Sequence, residues 1–240
     1  EFSNEYITYH STDGIKPNGV LKGSISQDLL NWKLMDEKYT VPVPQKNYWE
    51  LKDPYVFWNA DRGNYWAVRS AKETANSAWL FIYYTSTDLT NWVEKGTLYA
   101  PSDVFGPIEC PQMFKMGNFW YMLYSEYKGR VGKPQYFYAT QPEGPWLVPT
   151  EDNSLDGEDN CAAQIVSTDD NLLLYGWIPS KDTETSGFQE WGGPLCIPRE
   201  VVQFSDGRLG TRIAPQVLSL IRGEKTFGNA SRIDLTSLAS

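Results

Sequence analysis

The chain has 240 residues, 41% hydrophobic and 15% aromatic, with a formal net charge of −9 and a pI near 4.7. That length sustains one sizeable core and, for an all-β architecture, a single domain. The acidic balance repels nucleic acid and anionic membrane surfaces, and it leaves the binding of a neutral ligand unaffected.

The rarer residues narrow the chemistry. Cys110, Cys161 and Cys196 are too few and too scattered for a disulfide framework, and no CxxC pair offers a metal-type spacing. A single histidine, His10, argues against a histidine-based metal site or a Ser-His-Asp triad, so neither metal nor cofactor is expected. No apolar run reaches membrane-spanning length. No signal peptide is recognisable, which leaves a secreted and a cytoplasmic location both open. Ten Trp and fifteen Tyr are read mainly as packing, with some as platforms for the C–H faces of a sugar.

In chain order, strand-like runs fall at 5–10, 55–58, 65–70, 79–86, 112–115, 120–125, 135–139, 163–167, 172–177 and 195–204. They are short and rich in Tyr, Trp, Val, Ile and Phe. Turns such as Asp61-Arg62-Gly63-Asn64, Lys115-Met116-Gly117-Asn118 and Ser205-Asp206-Gly207 separate them. No helical periodicity exceeds about two turns.

A repeated phrase sets the architecture. Ser26-Gln27-Asp28-Leu29-Leu30-Asn31-Trp32 recurs as Ser86-Thr87-Asp88-Leu89-Thr90-Asn91-Trp92. A weaker copy ends at Trp146, after an interval only slightly shorter than the one from Trp32 to Trp92. This period suits four-stranded propeller blades with boundaries near Trp32, Trp92 and Trp146. The phrase is read as structural: Ser and Asp bond local backbone while Leu and Trp tuck into the blade.

Two carboxylates repeat at blade spacing. They are Asp53, in Lys52-Asp53-Pro54-Tyr55, and Glu109, in Glu109-Cys110-Pro111-Gln112, at an offset of 109 − 53 = 56. Each opens an apolar strand beside a proline. Equivalent positions on successive inner strands converge at one mouth of a propeller channel, which makes these acids candidate active-site groups; acids serving as turn residues are the competing reading. The next equivalents fall near Asp159-Asn160-Cys161 and near Trp191 to Glu200, so all three cysteines are expected on inner strands as small packing groups.

These segments resemble family 32 of the glycoside hydrolases, the invertase, inulinase and levanase group. Its RDP motif is similar to Lys52-Asp53-Pro54 and its EC motif to Glu109-Cys110. Its fourth-blade pattern is similar to Asp159-Asn160-Cys161-Ala162-Ala163-Gln164, with Cys161 where Tyr is usual. Its fifth blade resembles Gly176-Trp177, then Glu190-Trp191-Gly192-Gly193 and Pro198-Arg199-Glu200. The resemblance covers roughly residues 5–220. It implies a five-bladed β-propeller, all-β, over 1–225, with 226–240 a linker or the start of a C-terminal β-sandwich. It also implies a carbohydrate substrate of the sucrose, inulin or levan type. Glu109 would be the acid/base and Asp53 a stabiliser of the transition state. Trp49, Lys52, Arg69, Cys110, Asp159 and Trp191 would line the substrate pocket, with blade-edge packing the alternative for the two tryptophans and a structural ion pair the alternative for Arg69.

Two departures stand out. Lys52 replaces the usual Arg and loses its planar fork. The family's nucleophilic aspartate has no counterpart; Asp13-Gly14 reads as a turn, and one blade back from Asp53 is 53 − 56 = −3. The expectation is therefore a propeller lacking its first inner strand, with the nucleophile supplied from elsewhere. The rival readings are an arabinan- or xylan-type propeller hydrolase and a non-catalytic carbohydrate-binding propeller.

Overall fold

The computed structural model describes residues 5–11, 20–101, 106–128, 131–150, 152–168, 171–179 and 193–221. Among them, fourteen strands build four antiparallel sheets along the chain. The first holds β1 (Tyr6–Ser11), β2 (Leu21–Ser26) and β3 (Lys33–Leu34). The second holds β4 (Glu50–Asn59), β5 (Asn64–Lys72), β6 (Trp79–Ser86) and β7 (Val93–Tyr99). β8 (Ile108–Met116), β9 (Phe119–Lys128) and β10 (Val131–Ala139) form the third, extended by bridges from Tyr138 to Leu147 and from Gln135 to Ser154. The fourth is β11 (Cys161–Ser167), β12 (Leu172–Trp177), β13 (Arg199–Gln203) and β14 (Leu209–Ile213). A two-turn helix, α1 (Pro215–Ile221), follows, and no described helix is long and apolar enough to cross a membrane.

The two-residue period of a strand explains how the sheets stack. On β5, Trp66 and Val68 join a core shared with the third sheet, while Ala67 and Ala71 join one shared with the first. On β6, Trp79 and Phe81 face one way and Leu80, Ile82 and Tyr84 the other. On β9, Trp120, Met122 and Tyr124 enter the second-sheet core and Tyr121 and Leu123 the fourth-sheet core. Sheets apolar on both faces must be covered on both faces, and successive sheets packed face to face with β1, β4, β8 and β11 side by side are the propeller arrangement.

Polar clasps close the junction of the second and third sheets at the ends of these strands. Asp61, in the β4–β5 hairpin, accepts Lys115 Nζ at 2.8 Å on each oxygen and Trp120 Nε1 at 2.9 Å. Arg62 forks onto Glu143 at 2.8 and 2.6 Å. Gly63, with φ +63, permits the tight turn that aims both side chains outward.

Several expectations need correction. Arg199 and Glu200 do not open a fifth blade: they pair with Leu174 and Leu173 as the third strand of the fourth sheet, while Glu190 and Trp191 lie outside the described residues. Arg199 also follows Cys161 too closely, at an offset of 199 − 161 = 38, well short of a blade. The run expected at 195–204 starts late because Pro198 has no N–H for the ladder. Cys110 and Cys161 sit on inner strands, but Cys196 lies before β13, its N–H bonded to Gly176 O at 2.9 Å.

The repeated phrase folds as the same turn twice. Asp28 and Asp88 each accept two backbone N–H groups and an Asn amide, bonds from Asn31 and Asn91 foremost, which hold both carboxyls well below the usual range. Trp32 and Trp92 each bond the carbonyl of a leucine with positive φ, at 3.1 and 3.0 Å. Packing differs. Leu89 is 3% exposed, in a pocket with Ile7 and Tyr9 of the preceding sheet, whereas Leu29 is 54% and Trp32 42% exposed, so the first copy does not tuck in. The twin turns give a paired test. Leu89→Ala is expected to cost about 2–4 kcal/mol and Leu29→Ala to stay within about 0.5 kcal/mol, measured by urea unfolding.

Candidate active site

Three inner strands carry the same irregularity. Pairing breaks between Lys52 and Tyr55 on β4, between Glu109 and Gln112 on β8, and between Cys161 and Gln164 on β11. Each break contains a residue in the left-handed region: Asp53 at φ +45, Cys110 at +53 and Ala162 at +49. Such a conformation costs a non-glycine residue on the order of 1–3 kcal/mol and is held only where the surroundings impose it. Pro54 and Pro111 explain two of the bulges, because a residue without an N–H cannot continue a ladder.

The shared bulge corrects the alignment drawn from spacing. Glu109 occupies the place of Lys52, not of Asp53, and Asp53 occupies the place of Cys110; the true offset is 109 − 52 = 57. Like positions then meet across the junction. Lys52 Nζ donates to Glu109 Oε1 at 2.6 Å, with both side chains 28% exposed. Asp53 Oδ2 accepts the Cys110 N–H at 2.9 Å. Lys52 Nζ also lies 5.3 Å from the centre of the buried Trp79 ring.

The remaining site candidates are distributed around these two pairs. Arg69 is fully buried on β5; burial lowers its pKa to about 10, opposed by the charges of Tyr84 and Asp53. It does not reach the surface. Trp49 is 48% exposed beside the start of β4, its N–H on Lys72 O at 2.7 Å. Asp159 precedes β11, its N–H bonded to Gly132 O at 3.0 Å. Trp191 and Asp13 lie outside the described residues.

Two glutamines escaped the sequence reading. Gln112 donates to Ile165 O at 2.7 Å and accepts Ile165 N–H at 2.6 Å. Gln164 donates to Cys110 O at 2.9 Å. Each closes the bulge of its own strand, at the same place after the residue that opens it, and that repeated placement was the available signal. They tie β8 to β11 where no ladder runs.

Burial, then the negative charges of Asp53 and Glu109, pushes the Cys110 thiol up to about 12. Cys110 is therefore expected to alkylate on the order of 10³-fold more slowly at pH 8 than an ordinary exposed cysteine. Asp53→Asn should accelerate it. Mass spectrometry of iodoacetamide-treated protein reads both rates.

The family model of the glycosyl hydrolases family 32 N-terminal domain matches residues 7–211. The raffinose invertase of Escherichia coli is 27% identical over 195 residues, covering 76% of this chain and 40% of that protein. The sucrose-6-phosphate hydrolase of Escherichia coli is 24% identical over 198 residues, covering 77% and 41%. A GH32 beta-fructofuranosidase of Bombyx mori superposes with a TM-score of 0.72 at 20% identity, over 90% of this chain and 50% of that one, a likeness of fold. The chain thus spans about two fifths of the length of the curated relatives it matches. With residues 7–211, most of its length, answering to that one domain, the chain belongs to glycosyl hydrolase family 32.

Proposed function

We propose that the chain forms the sugar-binding and acid/base part of a retaining glycosidase acting on fructose-containing saccharides of the sucrose, inulin or levan type. The observation that carries this is the pair of cross-strand contacts, Lys52 with Glu109 and Asp53 with Cys110, which hold two carboxylates on adjacent inner strands. A retaining enzyme works with two carboxyl groups about 5–5.5 Å apart, one nucleophile and one acid/base. In this reading Glu109 protonates the glycosidic oxygen as the nucleophile attacks the anomeric carbon. Glu109 then takes a proton from water as that water displaces the enzyme carboxylate. Asp53 holds sugar hydroxyls and stabilises the cationic transition state. Lys52, Trp49 and Trp191 complete the pocket.

The nucleophile comes, in this reading, from an inner strand outside the described residues, in a ring of five blades. Two features support it. The second, third and fourth sheets open on a bulged strand, while the first opens on β1, which has no bulge and no carboxylate. Leu29 and Trp32 are bare where their counterparts are covered. A C-terminal β-sandwich beyond residue 225 belongs to the same proposal and fits the partial coverage of the relatives.

A non-catalytic sugar-binding propeller is the second reading, favoured by the lack of a third carboxylate at the bulges of the described inner strands. The test joins calorimetry with fructose and sucrose to a release assay on sucrose, inulin, levan and arabinan. Residues 1–240 should bind fructose but release little. Restoring an Asp-bearing inner strand should switch release on, and Glu109→Gln should remove about 10²–10⁴-fold of it. Sugar binding without release after restoration favours the second reading. Arabinose release, or fast hydrolysis by residues 1–240 alone abolished by Asp13→Asn, overturns the proposal.

A further inference from the structure

The residue just before each bulge faces a partner on the next strand of its own sheet. Lys52 pairs with Ser70 across β4 and β5, and Glu109 pairs with Ser125 across β8 and β9. On β11 the same place belongs to Cys161, whose partner on β12 is Trp177. Serine thus stands opposite the two charged residues and not opposite the uncharged one.

Both serines are fully buried, at 0% exposed. Neither hydroxyl has a hydrogen-bond partner among the described residues. A buried hydroxyl without a partner forfeits its bonds to water, so each is a cost to the fold as it stands. Alanine would fill either place without that cost.

The ladder puts a partner for each within reach. Residues directly opposite in an antiparallel pair share a face, with Cβ atoms about 4.5–5.5 Å apart. The Ser125 hydroxyl therefore lies beside the stem of Glu109, and the Ser70 hydroxyl beside the stem of Lys52. The two charged tips are turned elsewhere. Lys52 Nζ donates to Glu109 Oε1 at 2.6 Å across the junction, the one hydrogen bond that either side chain makes among the described residues. That ion pair conflicts with the fructoside reading, in which Glu109 addresses the glycosidic oxygen and Lys52 the sugar. A bound sugar has to part them, and parting two charges that are 28% exposed leaves each short of a partner.

We propose that Ser125 and Ser70 are positioning residues, which receive Glu109 and Lys52 when a sugar parts their ion pair. Ser125 donates its O–H to the released carboxylate, and Ser70 accepts from the released ammonium. Serine serves in both sheets because its hydroxyl both donates and accepts, and opposite charges at one structural position ask for both. The proposal rests on the fructoside reading above and adds to it a second arrangement of the site, open to the sugar.

The test sets stability against binding. Ser125→Ala should raise the urea midpoint of the sugar-free protein, because it removes a hydroxyl that has no partner there. Calorimetry should show its fructose affinity falling about tenfold, the loss of one hydrogen bond to a charged group. Ser70→Ala should move both measurements the same way. A further comparison needs no sugar. In Lys52→Met the carboxylate is already released onto Ser125, so adding Ser125→Ala to that variant should lower the midpoint instead of raising it. A merely structural serine would lower the midpoint in both backgrounds. That result, or a fructose affinity unchanged in both alanine variants, would overturn the proposal alone. Failure of the wild-type chain to bind fructose would overturn the fructoside reading, and this proposal with it.

Discussion

The bulge at the head of β4, β8 and β11 is the constraint from which the site follows. A regular strand would alternate its side chains between the two faces and send neighbouring residues in opposite directions. One extra residue in the left-handed region breaks that alternation. Lys52 and Asp53 can then both address the next sheet, as Glu109 and Cys110 can in turn. Polarity at this level is also a matter of necessity. The bulge frees backbone amides from their ladder, and a freed amide in a half-buried place needs an acceptor. Asp53 thus caps the amide of its neighbour across the junction.

Beneath the bulges the fold is a stack of double-sided apolar sheets. The core between the second and third sheets is rich in aromatic rings, with Trp66, Trp79, Phe81, Trp120, Tyr124, Phe137 and Trp146. Phe81 meets Tyr124 edge to face at 5.6 Å, and Tyr124 stacks on Phe137 at 5.0 Å. Flat rings fill a wedge-shaped gap between splayed sheets with few rotatable bonds, which keeps the inner strands at fixed spacing. The exposed ion pairs of Asp61 and Arg62 add little individually, but they tie the lower end of the same junction.

Much of this was legible in the residues. The alternation of aromatic and branched side chains gave Trp79–Ser86 and Leu172–Trp177 with the bounds they have in the fold. β2 was not legible, because Gly23 and Ser24 have poor strand propensity and are in the sheet for packing reasons; Met35 lies where a side chain on Gly23 would go. β7 was hidden by Gly96 and two register shifts. At the site, Asp53 and Glu109 were found by their proline context, but their relation was read one residue out. Neighbouring offsets are equally plausible in a chain whose loops vary in length, and only the ladder reveals where the bulge falls. The burial of Leu89 and the exposure of Leu29 could not be told apart either. The two phrases are locally alike, and the difference lies in what stands opposite, which no local pattern records.

Gln112 carries one more consequence. Its amide offers one donor and one acceptor to the backbone of Ile165, as a peptide group would, and so imitates a single rung of ladder between strands that belong to different sheets. Asp53 and Gln164 reach across their boundaries in the same manner. Each inner strand is therefore completed by its neighbour, and the natural module of this architecture is the seam between two sheets. A blade duplicated or exchanged in evolution would arrive with half of each seam missing. Lineages are free to remodel the hairpins at the rim, whereas the head of every inner strand has to change in step with the strand beside it.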